Sequence, residues 1–357
     1  MAHALRLAAR GNGACWPNPA VGCVIVKAGV ILGRGTTAPG GRPHAERIAL
    51  AQAGGAARGA TAYVTLEPCA HHGRTPPCAE ALVEAGIARV VTALTDPDPR
   101  VAGRGHAILR RAGIDVTEGV LAPEAARVTA GFLKRVTQGL PFLTLKLAAS
   151  LDGRIATATG ESRWITGPAA RRHVHALRMA HDAVMVGSGT ATADDPDLTV
   201  RDLGAPRQPV RILLDSRLSH RPDSRLGRTA HEVPVWILHT AAAADTARQA
   251  WQARGARLIP CPATAQGRIN LSAGLRALAG EGLTRILCEG GGTLAAALLS
   301  GGLADELALY TAGLALGAEG RPVLGPLGLA ALKDAPRLTL RETRPLGPDI
   351  LTLWSLG

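Results

Sequence analysis

Apolar residues occur along this chain in short blocks, and the blocks alternate between a strand period and a helix period. Residues 21–26 are almost continuously apolar, and 30–35 reads as a strand pairing with them through a turn at Ala28-Gly29. A short helix at 2–10 precedes them and is broken by Pro17-Asn18-Pro19. Pro43 suits the first turn of a helix that ends before Gly54-Gly55. A strand at 62–66, a helix at 77–85, a strand at 88–94, a helix near 105–112 and a strand at 114–117 follow. A connecting helix is predicted over 123–138, after which Pro141 opens a strand at 142–148 and the alternation restarts. The second half reads as strands near 182–187, 210–215, 234–238, 256–260, 284–288, 305–311, 336–342 and 349–354, with helices between most of them.

That alternation specifies an α/β protein. At 357 residues the chain is too long for most single domains. The pattern divides it into residues 1–117, a linker helix at 118–141, and residues 142–357. With 3% aromatic residues, the cores must be filled by Leu, Val, Ile and Ala. No stretch approaches the roughly 18 apolar residues of a membrane span, so a cytoplasmic protein is expected. Six cysteines fit a reducing compartment better than a disulfide framework.

The net charge of +12 changes the picture only slightly. Four of the 40 basic residues are lysine and the rest arginine, dispersed rather than interleaved with aromatics. Single-strand nucleic-acid binding favours such interleaving. Small phosphorylated ligands are therefore expected ahead of nucleic acid. The competing reading is an RNA-editing deaminase with an accessory RNA module.

The most specific chemistry lies in His44-Ala45-Glu46, Glu67-Pro68-Cys69 and Pro77-Cys78. One imidazole and two thiols are donors of the type and number that leave a fourth tetrahedral position on zinc open for water. Glu46 is placed to move protons without binding the metal. His-x-Glu followed by Pro-Cys and a second Cys is the signature of zinc deaminases acting on nucleobases, here with eight residues between the thiols. Side chains two apart inside a helix diverge, so His44 and Glu46 can share a site only if His44 sits at the helix mouth. A structural zinc site closed by His71 or His72 is the alternative, and both histidines otherwise read as substrate-loop or solvated residues.

Three further stretches stand out: Lys146 to Arg154 with its Asp152-Gly153 turn, Val186 to Pro196, and Ile286 to Ala296 with three successive glycines. A strand running into a glycine turn and a helix start is a ready phosphate site. Gly290-x-Gly292-x-x-Ala295 satisfies the dinucleotide fingerprint loosely. Gly33-x-Gly35-x-x-Ala38 matches as well, in a hairpin with no helix after it.

His44-Ala45-Glu46, the run Thr65 to Cys78 and Pro17 to Gly22 resemble the deaminase half of the bifunctional riboflavin-biosynthesis deaminase/reductase family. The later stretches, with 160–166 and 194–201, resemble its reductase half, so the resemblance spans essentially the whole chain. It implies a cytidine-deaminase-like three-layer sandwich followed by a dihydrofolate-reductase-like domain that uses NADPH. The implied substrate is a phosphorylated diaminopyrimidine, first deaminated and then reduced in its ribosyl chain. His44, Cys69 and Cys78 would bind zinc, Glu46 would be the proton donor, and Asn18 would contact the substrate ring. Ala148, Trp164, Thr190, Asp194, Ser216 and the turn Gly291, Gly292, Thr293, Leu294 would hold NADPH. Ser162, Arg178, Leu198, Arg201 and Glu289 would hold the substrate, the arginines gripping a phosphate with the planar guanidinium fork. Lys146 and Glu289 are best placed to stabilise charge during hydride transfer, since no Tyr-x-x-x-Lys pair exists. Arg217 is a candidate for the cofactor's 2′-phosphate or a solvated arginine. The oligomeric state is left open, a homo-oligomer included.

Overall fold

The apolar blocks become strands and helices close to where the pattern places them. The computed structural model describes residues 1–71, 76–204 and 207–356. The chain divides into two units, Met1–Leu140 and Pro141–Gly357.

The first unit opens with α1 (Ala2–Gly11), the hairpin β1 (Gly22–Lys27) and β2 (Val30–Thr36), α2 (Ala45–Ala53) and β3 (Thr61–Val64). After these come α3 (Cys78–Glu84), β4 (Arg89–Thr92), α4 (Arg104–Arg111) and β5 (Asp115–Thr117). Among the described residues the strands form one sheet, ordered β2-β1-β3-β4-β5. It is antiparallel around β1 and parallel from β3 to β5. A Cβ on Gly33 would strike the Ala49 carbonyl, and one on Gly35 that of Ala45. The glycines that mimic a dinucleotide fingerprint therefore let α2 press onto the hairpin, which fixes the helix mouth where His44 sits.

The segment expected as one connecting helix is two, α5 (Ala122–Val128) and α6 (Ala130–Gln138). The break falls at Thr129, whose φ of −96° and ψ of 5° leave the helical range. The β-branched pair Val128-Thr129 is a weak spot for helix. These helices belong to the first unit: Phe132 is buried in its core, with Leu133 and Val136 packed alongside. Residues 118–140 are thus part of a folded body rather than a free linker.

The second unit begins with β6 (Phe142–Ser150), β7 (Arg154–Ala156), α7 (Pro168–Met179), β8 (Ala183–Gly187) and α8 (Ser188–Asp194). It continues through β9 (Val210–Leu214), α9 (Arg225–Arg228), β10 (Val235–His239), α10 (Asp245–Ala253) and β11 (Arg257–Pro260). The last elements are α11 (Leu271–Gly280), β12 (Arg285–Cys288), α12 (Gly292–Ser300), β13 (Glu306–Ala312), β14 (Arg321–Pro322), β15 (Leu338–Leu346) and β16 (Asp349–Leu356). Among the described residues the main sheet runs β11-β10-β9-β8-β12-β6-β13-β16-β15. It is parallel from β11 to β13 and antiparallel through β16 and β15. β7 and β14 pair separately, and neither is long enough to leave a periodic signal in the sequence. No helix among the described residues is long and apolar enough to cross a membrane.

Candidate functional site

In the first unit His44 is the N-cap of α2, with extended backbone (φ −72°, ψ 158°), and Glu46 lies in the first turn. This helix-mouth position lets two residues that would diverge inside a helix face one site. Cys69 follows β3, and Cys78 is the first residue of α3. His44 Nδ1 lies 3.6 Å from Cys69 Sγ and 3.3 Å from Cys78 Sγ. All the donor atoms fall within 4.8 Å of one another. Tetrahedral zinc with ordinary Zn–N and Zn–S bonds separates such donors by about 3.5 Å, so the triad fits the metal.

The electrostatics of the cluster suit a metal cage. The Cys69 thiol is brought down to about 4, chiefly by the hydrogen bond from Cys78, with His44 also contributing. Cys78 moves the opposite way because one proton is shared between the thiols. The Cys78 backbone N–H also donates to Cys69 Sγ at 3.3 Å. Glu46 is 3% exposed, and burial above all, with the Cys69 charge, pushes its carboxyl up to about 7. A carboxyl in that range can both take and give a proton near neutrality.

Glu67 is singled out in the sequence only as part of Glu67-Pro68-Cys69, and the structure shows it tying backbone together. Its buried carboxylate accepts backbone N–H groups from Gly105 (2.8 Å) and His106 (3.2 Å) on one oxygen. The other oxygen accepts from Gly103 (3.0 Å) and Asp96 (3.1 Å). It holds the start of α4 and the loop after β4 against the Pro68-Cys69 segment. The signal available was a glutamate directly before Pro-Cys, which has no spacing rule attached. Asn18 lies over Gly41, where any added Cβ would strike its amide, three residues before His44. His72 lies outside the described residues. His71 is half-buried, and the donor cluster does not include it.

In the second unit β12 ends at Cys288 between β8 and β6, while β6 runs on past it to Ser150. Leu145 pairs with Cys288, so Lys146, midway along β6, comes next in register to Glu289 at the carboxyl end of β12, the end at which open α/β sheets bind ligands. Arg178 donates from Nε and Nη2 to Glu289 at 2.6 and 3.0 Å. Burial opposes ionisation of Glu289, but Arg178 and then Lys146 outweigh it and hold the carboxyl at about 2. The third guanidinium donor, Nη1, reaches the Thr199 carbonyl at 2.8 Å. The fork expected to grip a phosphate is therefore occupied by Glu289. Lys146 is kept below its ordinary value by burial, and its ammonium stands 5.9 Å from the centre of the Tyr310 ring.

The glycine turn opens α12 at Gly292, with Gly291 as N-cap and Thr293 and Leu294 in the first turn. Gly291 N–H donates to Thr190 Oγ1 at 3.0 Å, joining this turn to α8. A Cβ on Gly292 would lie 3.0 Å from the Val323 carbonyl oxygen. Free amides at a helix start, closely approached backbone and adjacent strand ends make a cradle that fits a dinucleotide diphosphate. Ala148 lies on β6 opposite Tyr310. Asp194 ends α8, and its carbonyl accepts from Arg163 at 2.8 Å. Trp164 is exposed beneath the Arg171 guanidinium, 4.6 Å from its ring centre. Ser216 accepts the Ile269 N–H at 3.2 Å. Ser162 is half-buried and Arg217 exposed. Arg201 is exposed and paired with Asp197 at 3.0 Å. Leu198 is buried with φ of 56°.

Comparisons with known proteins agree with both halves. The model described as "Cytidine and deoxycytidylate deaminase zinc-binding region" matches residues 1–94, and that described as "RibD C-terminal domain" matches residues 141–352. Riboflavin biosynthesis protein RibD of Escherichia coli is 46% identical, covering 98% of this chain and 96% of the relative. The Haemophilus influenzae protein of the same name is 44% identical over 98% and 95%. The solved structure of Acinetobacter baumannii RibD, form 2, superposes with a TM-score of 0.88 at 40% identity, covering 100% of this chain and 98% of that one. A Thermotoga maritima diaminohydroxyphosphoribosylaminopyrimidine deaminase/5-amino-6-(5-phosphoribosylamino)uracil reductase gives 0.86 at 33% identity, over 100% and 97%. The expected fold, a deaminase-like unit followed by a reductase unit, is the one found, and zinc and NADPH are the cofactors of that type. The chain belongs to the RibD family, the bifunctional deaminase/reductase enzymes of riboflavin biosynthesis.

Proposed function

We propose that the first unit deaminates 2,5-diamino-6-(5-phosphoribosylamino)pyrimidin-4-one by hydrolysis, giving 5-amino-6-(5-phosphoribosylamino)uracil. The second unit then reduces the ribosyl chain of that product to the ribitylamino form. When bound, zinc acidifies a water molecule and NADPH supplies a hydride.

The chain's own residues do the rest. His44 Nδ1 and the sulfurs of Cys69 and Cys78 hold the metal. The Glu46 carboxylate takes a proton from water and delivers it to the ring nitrogen, then takes the proton of the newly added hydroxyl and delivers it to the amino group that leaves as ammonia, a role its buried position and raised pKa support. Asn18 orients the ring. In the second unit the Gly291–Gly292 turn, Thr293, Leu294, Thr190, Ala148, Trp164, Asp194 and Ser216 hold the cofactor. Ser162, Arg201 and the backbone of Leu198 position the substrate. Arg178 acts through Glu289, keeping it ionised beside Lys146, and Lys146 supplies a proton and balances developing charge.

The substrate is a free phosphorylated pyrimidine rather than a nucleic acid. The compartment is the cytoplasm, because Cys69 and Cys78 must stay reduced to bind zinc. The observation that carries this reading is the His44-Cys69-Cys78 cluster with Glu46 buried against it. The test supplies the diaminopyrimidine ribotide and follows ammonia release and NADPH oxidation separately. Ammonia release without NADPH, and NADPH oxidation only after it, are expected. Retention of tRNA with neither activity would overturn the reading.

A further inference from the structure

The Asp152-Gly153 turn carries a carboxylate that neither proposed reaction uses. Asp152 accepts the Leu316 N–H on both oxygens at 3.1 Å and the Gly317 N–H at 2.8 Å. Ser150 donates its hydroxyl to the same carboxylate at 2.5 Å and accepts the Arg154 N–H at 2.9 Å, so the turn is closed on itself. These contacts, led by the Ser150 hydroxyl, hold the exposed Asp152 carboxyl down at about 2.

The segment that Asp152 grips runs on to the glycine turn. After Gly317 the chain enters β14, which pairs with β7, and Val323 N–H donates to the Gly153 carbonyl at 2.9 Å. Gly325 N–H then donates to the Gly292 carbonyl at 2.9 Å. Backbone atoms of Pro322, Val323 and Gly325 lie 3.0–3.2 Å from where a Gly292 Cβ would stand. On the other side, a Cβ on Gly160 would lie 3.1 Å from the Arg321 guanidinium, which places Arg321 at the turn leading into Ser162 and Trp164. One strap, residues 316–325, therefore touches both the first turn of α12 and the 157–164 segment.

We infer that Asp152 is a positioning residue for the nicotinamide cofactor, buckling the 316–325 strap so that it braces the Gly291–Gly292 turn from outside the site. The inference rests on the assignment of NADPH to that turn. Asp152 touches no reacting atom, so its loss raises the cofactor's dissociation constant and KM more than it lowers kcat. Asparagine keeps an acceptor oxygen facing Leu316 and Gly317 and can donate to Ser150, so it restores most of the function.

The test uses the full zinc-loaded chain and compares Asp152→Ala, Asp152→Asn and Gly292→Val. Equilibrium NADPH binding by nucleotide fluorescence, amide exchange at Leu316 and Gly317, and ammonia release are measured on each. Asp152→Ala is expected to weaken NADPH binding about tenfold, the worth of one good hydrogen bond. Faster exchange at both amides should accompany that loss, with deamination unchanged and Asp152→Asn close to the parent. If Gly292→Val weakens NADPH binding while Asp152→Ala binds it as the parent does, the strap inference is overturned and the cofactor assignment stands. If Gly292→Val also binds as the parent does, both are overturned.

Discussion

Arg178 and Glu289, 111 residues apart in sequence, meet through two parallel N–H···O contacts of 2.6 and 3.0 Å. Their side chains are 12% and 10% exposed, so this pair is largely desolvated. Removing one partner from such a pair leaves an uncompensated charge and costs roughly 3–5 kcal/mol. Arg178→Ala should lower the stability of the reductase unit by that order in urea denaturation and abolish NADPH oxidation. Ammonia release should persist. Unchanged stability would show that the pair is exposed in solution.

Lys146 is next to that pair in register and is the proposed proton source. Lys146→Ala is expected to reduce reductase kcat by roughly 10²-fold or more, as for loss of a positioned acid. NADPH binding should stay near the parent. Full turnover in steady-state NADPH oxidation would remove Lys146 from the mechanism.

Glu67 is not one of the clustered donors, yet it organises the backbone beside Cys69. In Glu67→Gln an amide NH2 must face two backbone N–H donors in a buried site. Each donor left unmet costs about 1–3 kcal/mol. The variant should lose zinc to a chelator faster and unfold its first unit at lower urea, with reductase activity intact. Parent-like zinc retention, measured by metal analysis after dialysis, would contradict this.

His181 gives a pH dependence of known sign. It is 4% exposed, and burial above all, with the Arg285 charge, lowers its pKa from 6.5 to about 3. Its Nδ1 faces the Leu177 carbonyl at 2.7 Å and its Nε2 the Thr144 hydroxyl at 3.0 Å, an arrangement made by the neutral ring. The folded state resists a proton that the unfolded state accepts. Stability is therefore fully present above pH 6.5 and is lost as pH falls toward 3, by roughly 3–5 kcal/mol in all. Urea midpoints at pH 7.5 and 5 should differ more for the parent than for His181→Asn. Equal slopes would contradict the assignment.

How far the sequence could be read depends on whether a feature is local. The zinc triad and Glu46 are carried by short motifs, and the helix-mouth position of His44 follows from side-chain geometry plus Pro43. The parallel strands of both units are legible because buried parallel strands are continuous apolar blocks bounded by Gly or Pro. The Arg178–Glu289 pair was not legible, because nothing local tells residue 178 that its partner lies just past the end of β12. The resemblance placed both on the substrate, whereas the fold spends the arginine's fork on the glutamate. The break at Thr129 and the short strands β7 and β14 were missed for the opposite reason: tertiary contacts decide them over only a few residues. Gly33 and Gly35 matched a cofactor fingerprint by spacing alone, while their use is to admit the backbone of α2.

Two chemically independent centres sit on one chain, the first depending on Glu46 beside a His44-Cys69-Cys78 metal cage. Their independence is decided by Glu46→Gln, assayed for ammonia release from the diaminopyrimidine ribotide and for NADPH oxidation on the deaminated intermediate. The expected result is a zinc-loaded protein with deamination reduced roughly 10²–10⁴-fold and reduction at the parent rate. Deamination at the parent rate, or loss of both activities together in a folded, zinc-loaded protein, would contradict it.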